Sequence, residues 1–228
     1  MIELRSYQLE AIEKVFQAWK HNRSVMLQMP TGTGKTTIFS EIMKRQINEI
    51  VPNRRVLVLV HRRELVDQIF IRLKQFGVVA GKIIAGVEQD LLRQVQVASV
   101  QSIIRRDAKP ENISLIIVDE AHHIKARTYL NLLSHYSHQS TKLLGVTATP
   151  QRTDGEGFND VLDSIVTSWS IREFIKSGFL CNIKHLAPYN PNLEDLRINY
   201  RLKDYETEDL DHLMNSEEVI AEVVDSYK

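Results

Sequence analysis

The chain has 228 residues, 43% of them apolar and 25% charged, which is enough apolar material for a buried core and room for one large domain with a small appendage. Lys plus Arg and Asp plus Glu each number 29, so the formal net charge is zero, and neither a polycation nor a wholly acidic disordered chain fits. The charge is unevenly placed: residues 186–228 carry a net −7, which leaves +7 on residues 1–185.

Leu9, Ile12, Phe16 and Trp19 recur at helical spacing and predict a helix over roughly residues 6–20. Residues 24–28 form a short strand candidate. A glycine-bearing turn follows, then a helix with Ile38, Phe39, Ile42 and Met43 inward. Residues 55–60 read as a buried strand, and 64–76 as a helix through Leu65, Ile69 and Leu73. Further strands are expected at 81–85, 94–99, 114–118 and 142–147, the last two being the final clear strands before the tail. Ser216 could cap a terminal helix carrying Val219, Ile220, Val223, Val224 and Tyr227 on one face. Strands alternating with helices predict an α/β fold, with right-handed crossovers and a mostly parallel sheet covered on both faces.

The single cysteine, Cys181, precludes an intrachain disulfide and a cysteine-based zinc site, and is read as a packing residue. The N-terminus does not read as a signal peptide, and the longest apolar runs are far short of a membrane span, so a soluble cytoplasmic protein is the expectation.

Two segments carry chemistry. Met29-Pro-Thr-Gly-Thr-Gly-Lys-Thr36 lies between a strand and a helix. Gly32 and Gly34 can turn backbone amides inward, the helix N-terminus favours anions, Lys35 can reach β and γ phosphates, and the Thr36 hydroxyl can ligate Mg²⁺. Where the general phosphate-loop pattern has its first glycine, this chain has Met29. Leu115-Ile-Ile-Val-Asp-Glu-Ala-His-His123 is a buried strand with carboxylates at its C-terminal end, where ligands bind in parallel sheets. Asp119 would hold Mg²⁺, and Glu120 would orient and deprotonate an attacking water. A metal site on His122 and His123 is rejected, because adjacent histidines on an extended segment point apart. His135 and His138 could share a helix face, and read best as surface histidines.

Gly32-Thr-Gly-Lys-Thr36, Asp119-Glu-Ala-His122 and Thr147-Ala-Thr149 resemble motifs I, II and III of superfamily-two helicases of the DEAH (DExH) type. The subgroup is similar to the helicase subunits of restriction enzymes and the related RadD- and XPB-like DNA helicases. Leu4-Arg-Ser-Tyr-Gln8 resembles their adenine-reading segment, and Thr149-Pro-Gln-Arg-Thr-Asp-Gly155 the extension after motif III. The resemblance covers about residues 1–190 and implies a three-layer RecA-like P-loop NTPase lobe that uses ATP and Mg²⁺. It implies nucleotide contacts from Thr31, Gly32, Thr33, Gly34, Lys35, Thr36 and Thr37, with Gln8 on the adenine edge and Arg5 beside the base; Arg5 and Gln8 could instead cap the first helix. His122, Thr147 and Thr149 would couple hydrolysis to a nucleic-acid groove, or the threonines simply end a strand. Val60-His-Arg-Arg-Glu-Leu65 resembles motif Ia, and Ser99-Val-Gln-Ser102 the next strand-contacting motif. His61, Arg62, Arg63, Gln101 and Ser102 would then hold phosphates, or form a solvated face.

The resemblance also implies two lobes, the second supplying an arginine. After Pro150 too few residues follow for a second α/β lobe, so the expected division is a first lobe at 1–190 and an acidic connecting segment at 191–228. The second lobe would be supplied in cis by a longer protein or in trans by a partner. The implied partner is nucleic acid, DNA rather than RNA, and no membrane. An ATP-dependent motor and a clamp or translocase subunit that does not separate strands both remain open.

Overall fold

The computed structural model describes residues 3–49, 54–107, 109–136, 140–149, 158, 160–182, 196–199 and 204–214. The chain divides into two units, Met1–Leu180 and Cys181–Lys228.

In the first unit the helix α1 (Ser6–Ala18) leads into β1 (Ser24–Gln28), α2 (Lys35–Glu49), β2 (Arg55–Val60) and α3 (Arg63–Gln75). Next come β3 (Ala80–Ile83), β4 (Val95–Ser99), the short α4 (Val100–Ile104), β5 (Ile113–Asp119), α5 (Arg127–His135) and β6 (Lys142–Thr147). The strand β7 (Ser164–Thr167) and the helix α6 (Ile171–Lys176) complete it. The strands form one sheet in the order β3-β4-β2-β5-β6-β1-β7, and every pairing is parallel.

Alternation along the strands builds the three layers. Val25 and Leu27 of β1, Val56, Val58 and Val60 of β2, and Leu115 and Ile117 of β5 pack on one face with Ile12, Ile38, Phe39 and Val66 from α1, α2 and α3. Met26, Leu57, Leu59, Ile116 and Val118 pack on the other with Ile103 of α4 and Tyr129 and Leu132 of α5. A strand buried on both faces must be apolar at every position, which is why β2 and β5 read as unbroken runs.

The expected first helix ends two residues early, at Ala18, where a turn through Asn22 leads into β1. The β3 strand stops at Ile83 instead of running to residue 85, because Ala85 and Gly86 leave the sheet to line a surface groove. The elements not expected include the helices α4 and α5, the half-exposed edge strand β7 beside β1, and α6, fixed by a capping box between Ser170 and Glu173. Cys181 does not pack; it is exposed, because it follows the last buried turn of the unit.

The two ends of the first unit meet. The Tyr7 ring of α1 lies 4.9 Å from those of Phe174 and Phe179 and 5.6 Å from that of Trp169. In the second unit, β8 (Ile198–Asn199) pairs antiparallel with β9 (Asp204–Tyr205), and α7 (Thr207–Met214) follows. Arg197 grips Asp209 through two guanidinium nitrogens at 2.7 and 2.9 Å. The helix proposed around Ser216 and the extension through Gly155 lie outside the described residues. Among the described residues, no helix is long and apolar enough to cross a membrane.

Gly145 sits in β6 where a Cβ would stand 2.9 Å from the Cβ of Ala121. Gly145→Ala should therefore destabilise the fold by ~1–3 kcal/mol through overpacking of a rigid core. A shift of the urea midpoint checks this; an unchanged midpoint would mean that β6 does not press on the 121–123 turn.

Candidate active site and groove

The turn after β1 is held from three sides. Met29 N–H donates to the Thr147 carbonyl at 3.0 Å, extending the β1–β6 ladder by one bond. The Thr33 hydroxyl donates to the Pro30 carbonyl at 2.6 Å, and the Tyr7 hydroxyl donates to the Thr33 carbonyl at 3.0 Å. Gly32 and Gly34 take φ of +81° and +86°, and a side chain at Gly34 would also stand 2.7 Å from Nε2 of Gln8. Only glycine fits that position on both counts. Lys35 then opens α2, and its Nζ lies 3.4 Å from the carbonyls of both Met29 and Pro30, curled over the loop. Thr31 and Gly32 are exposed, and Thr36 is half-buried.

Gln8 is buried beneath this loop, and its side-chain oxygen accepts from the Arg5 backbone N–H at 2.9 Å. It thus caps α1 while its amide faces the loop. The Arg5 guanidinium lies 4.9 Å from the centre of the Phe179 ring. Thr37 is buried, and its hydroxyl accepts from Arg72 of α3 at 2.8 Å. Arg72 was not expected at the site; its only sequence signal is an arginine within an otherwise amphipathic helix.

The carboxylates stand two strands away, since β6 lies between β1 and β5. Burial, and then the charge of Glu120, push Asp119 up to about 6, against the Glu120 backbone N–H and Lys35. Burial pulls Lys35 below the ordinary lysine range, while Glu120 and Asp119 oppose the shift. The three groups are therefore electrostatically coupled. Glu120 adopts φ +52°, ψ +53°, a left-handed conformation that costs a non-glycine residue ~1–2 kcal/mol and starts the 3-10 turn at Ala121–His123. The Asp119 carboxylate and the Thr36 hydroxyl are hard-oxygen donors, of the kind that suits a small divalent cation that keeps waters and takes phosphate oxygens. Among the described residues the buried Tyr129 hydroxyl has no hydrogen-bond partner, and burial followed by the charge of Asp119 raises it above the ordinary tyrosine range.

Thr147 sits at the centre. Its hydroxyl lies 3.2 Å from both the N–H and the carbonyl of Thr149, and 3.2 Å from Nδ1 of His122. The same Nδ1 is 3.3 Å from the Glu120 carboxylate, which suits a tautomer with the proton on Nδ1. His122, Thr147 and Thr149 are thus brought together beside Glu120. The adjacent histidines do not point apart. The segment is a 3-10 turn, not extended, and the rings of His122 and His123 lie 4.1 Å apart. His123 in turn stacks on His61, with centroids 4.6 Å apart and an interplanar angle of 26°.

Beyond His61 opens a groove of about 720 Å³. Its lining gathers His61, Arg62, Arg63, Gln101 and Ser102 from the ends of β2 and β4. Ser99 caps α4, accepting from the Ser102 N–H at 3.3 Å. Arg105 and Arg106 also line the groove and were not expected; the signal was an arginine pair one helical turn after Ser102. Arg106 is structural in part, donating to the carbonyls of Ile84 and Val87. Arg105 is exposed and available to an anion.

Comparisons with known proteins show the family and the fold. Residues 1–152 match the family described as type III restriction enzyme, res subunit. The chain is 33% identical to the putative ATP-dependent helicase IRC3 of Saccharomyces cerevisiae over 242 residues, which cover 98% of the chain and 34% of that protein. It is 31% identical to the DNA 3'-5' translocase XPB2 of Sulfurisphaera tokodaii over 156 residues, covering 68% of the chain and 33% of that protein. The fold resembles that of a nuclease-deletion mutant of the type ISP restriction-modification enzyme LlaGI solved with a DNA substrate mimic, with TM-score 0.63 and 19% identity. That match covers 78% of this chain and 21% of the other. The chain spans about a third of the length of these curated relatives.

Asp119 binds its proton more tightly in the folded chain than in the unfolded one, so its contribution opposes folding as pH rises from about 4 through 6. Without nucleotide or metal, Asp119→Asn should stabilise the chain at pH 7 by ~2 kcal/mol, and the gain should vanish near pH 4. Urea titrations at the two pH values check this.

Proposed function

Because the chain belongs to the type III restriction enzyme res-subunit family of superfamily-two helicases, we propose that it is the ATP-hydrolysing lobe of a motor that moves along or unwinds nucleic acid. The observation that carries this reading is the convergence of a left-handed glycine turn, Lys35, and the Asp119–Glu120 pair on one edge of a parallel sheet. ATP is the substrate, and its β and γ phosphates are held by the amides of residues 31–36 and by the Lys35 ammonium. Thr37 and Arg72 flank the nucleotide, with Arg5 and Gln8 at its base. Thr36 and Asp119 would hold Mg²⁺, which would supply charge neutralisation at the phosphates. Glu120 takes the proton of the water that attacks the γ-phosphorus, ADP departs, and His122 keeps the Glu120 carboxylate aimed.

The groove binds a nucleic-acid backbone. Arg62, Arg63 and Arg105 neutralise phosphates, and the serine-capped α4 supplies amides, contacts that carry no sequence information. DNA is the favoured polymer, since the similar translocase and the similar restriction enzyme are both described with DNA. The arginine that stabilises charge on the transferring phosphoryl group is assigned to a second RecA-like lobe, in cis or in trans, and is worth ~10³–10⁵ in rate. Residues 1–190 act as the first lobe and 191–228 as an acidic connection toward the second. A cytoplasmic, reducing setting suits the single exposed cysteine.

The test is made in the protein carrying both lobes. Lys35→Ala should lose ATP binding and turnover together, whereas Glu120→Gln should keep binding and lose turnover. Normal turnover in the glutamine variant would refute the assignment of the base. This chain alone should hydrolyse Mg-ATP very slowly, and robust DNA-stimulated turnover by it would sink the role given to a second lobe. Arg105→Ala should weaken duplex DNA binding equally across sequences and reduce the salt slope by about 1, read by fluorescence anisotropy at several salt concentrations.

A further inference from the structure

The groove and the hydrolysis centre lie on neighbouring strands. Leu59 of β2 pairs with Val118 of β5, so His61 and Glu120 leave the sheet side by side. Between them the contacts are continuous. His61 lines the groove, its ring stacks on His123 at 4.6 Å, His123 lies 4.1 Å from His122, and His122 reaches Glu120 at 3.3 Å and Thr147 at 3.2 Å. None of the three rings has apolar packing as its evident purpose, since His61 is exposed and His122 and His123 are half-buried.

We propose that this run of three imidazoles is a positioning relay, in which His61 and His123 transmit the occupancy of the groove to the aim of Glu120, and nucleotide state back to the groove. The inference rests on the function proposed above and adds two residues, His61 and His123, to the machinery that controls the base.

Three physical points support it. The His61 ring shares a stacked face with His123, so a rotation of His61 toward a phosphate would change the contact that His123 makes. Burial, together with the neighbouring imidazoles of His122 and His61, holds His123 below the ordinary histidine range, which favours the neutral ring that stacks without charge repulsion. Glu120 sits in the left-handed backbone well, a higher-energy conformation for a non-glycine residue that its surroundings must maintain, so displacements of its partners bear on its aim. By linkage, any such coupling is reciprocal and can be read from either end.

The experiment reads the relay from the nucleotide end. The chain is labelled with ¹³C-histidine, and the His61 and His122 ring resonances are identified by their loss in H61A and H122A. Saturating Mg-ATPγS, with saturation established by calorimetry, should shift the His61 resonance although His61 does not line the phosphate loop. H123A should abolish that shift, and H123F, which keeps an aromatic face, should retain it. Reading from the other end, a saturating DNA duplex should shift His122, and H61A should abolish that response. A His61 resonance that stays still at saturation, or that shifts equally in H123A, overturns the relay and leaves the nucleotide site standing. If H123A does not fold, the H61A arm decides alone. Absence of any saturable nucleotide binding defeats the phosphate-site reading, and the relay falls with it.

Discussion

The placement of β6 between the phosphate-loop strand and the carboxylate strand is the constraint on which the site depends. A loop after β1 and an acid after β5 cannot touch across that gap, so something at the end of β6 must hold both. Thr147 does so with its two ends. Its carbonyl takes the Met29 amide, and its hydroxyl takes the histidine that borders Glu120. One residue on a middle strand thereby ties the glycine turn after β1 to the Asp119–Glu120 pair after β5.

The electrostatics follow from the same geometry. Burial disfavours the charged forms of Lys35 and Asp119, and the two offset each other in part. Lys35 offsets the Asp119–Glu120 repulsion, and the two acids keep Lys35 charged in spite of its depressed affinity for protons. A triphosphate with its cation would add opposite charges to both sides of this balance. The site is destabilised as it stands and suited to what it binds, as binding sites built from strain and unpaired charge are.

Much of the fold was legible because parallel strands covered on both faces are written as apolar runs. The apolar interiors of β1, β2 and β6 follow that rule. The β7 strand escaped it because it is an edge, with Ile165 half exposed and polar residues on either side. The glycine turn and the acid pair stand out in the sequence because glycine, lysine and carboxylate chemistry is local. Arg72 and Arg105 were not, because their roles come from what the fold brings opposite them. The histidine stack was misread for a definite reason: the left-handed backbone at Glu120 turns a segment that the apolar run leads one to extend.

The aromatic knot of Tyr7, Trp169, Phe174 and Phe179 joins residues from opposite ends of the first unit and braces the Thr33 carbonyl through the Tyr7 hydroxyl, while Leu180 reaches Gly32. Synthesis on a ribosome runs from one end to the other. The nascent polypeptide therefore carries its glycine turn for well over a hundred codons before the bracing segment emerges, and competence to grip a ligand arrives late, as the final step of this unit's assembly.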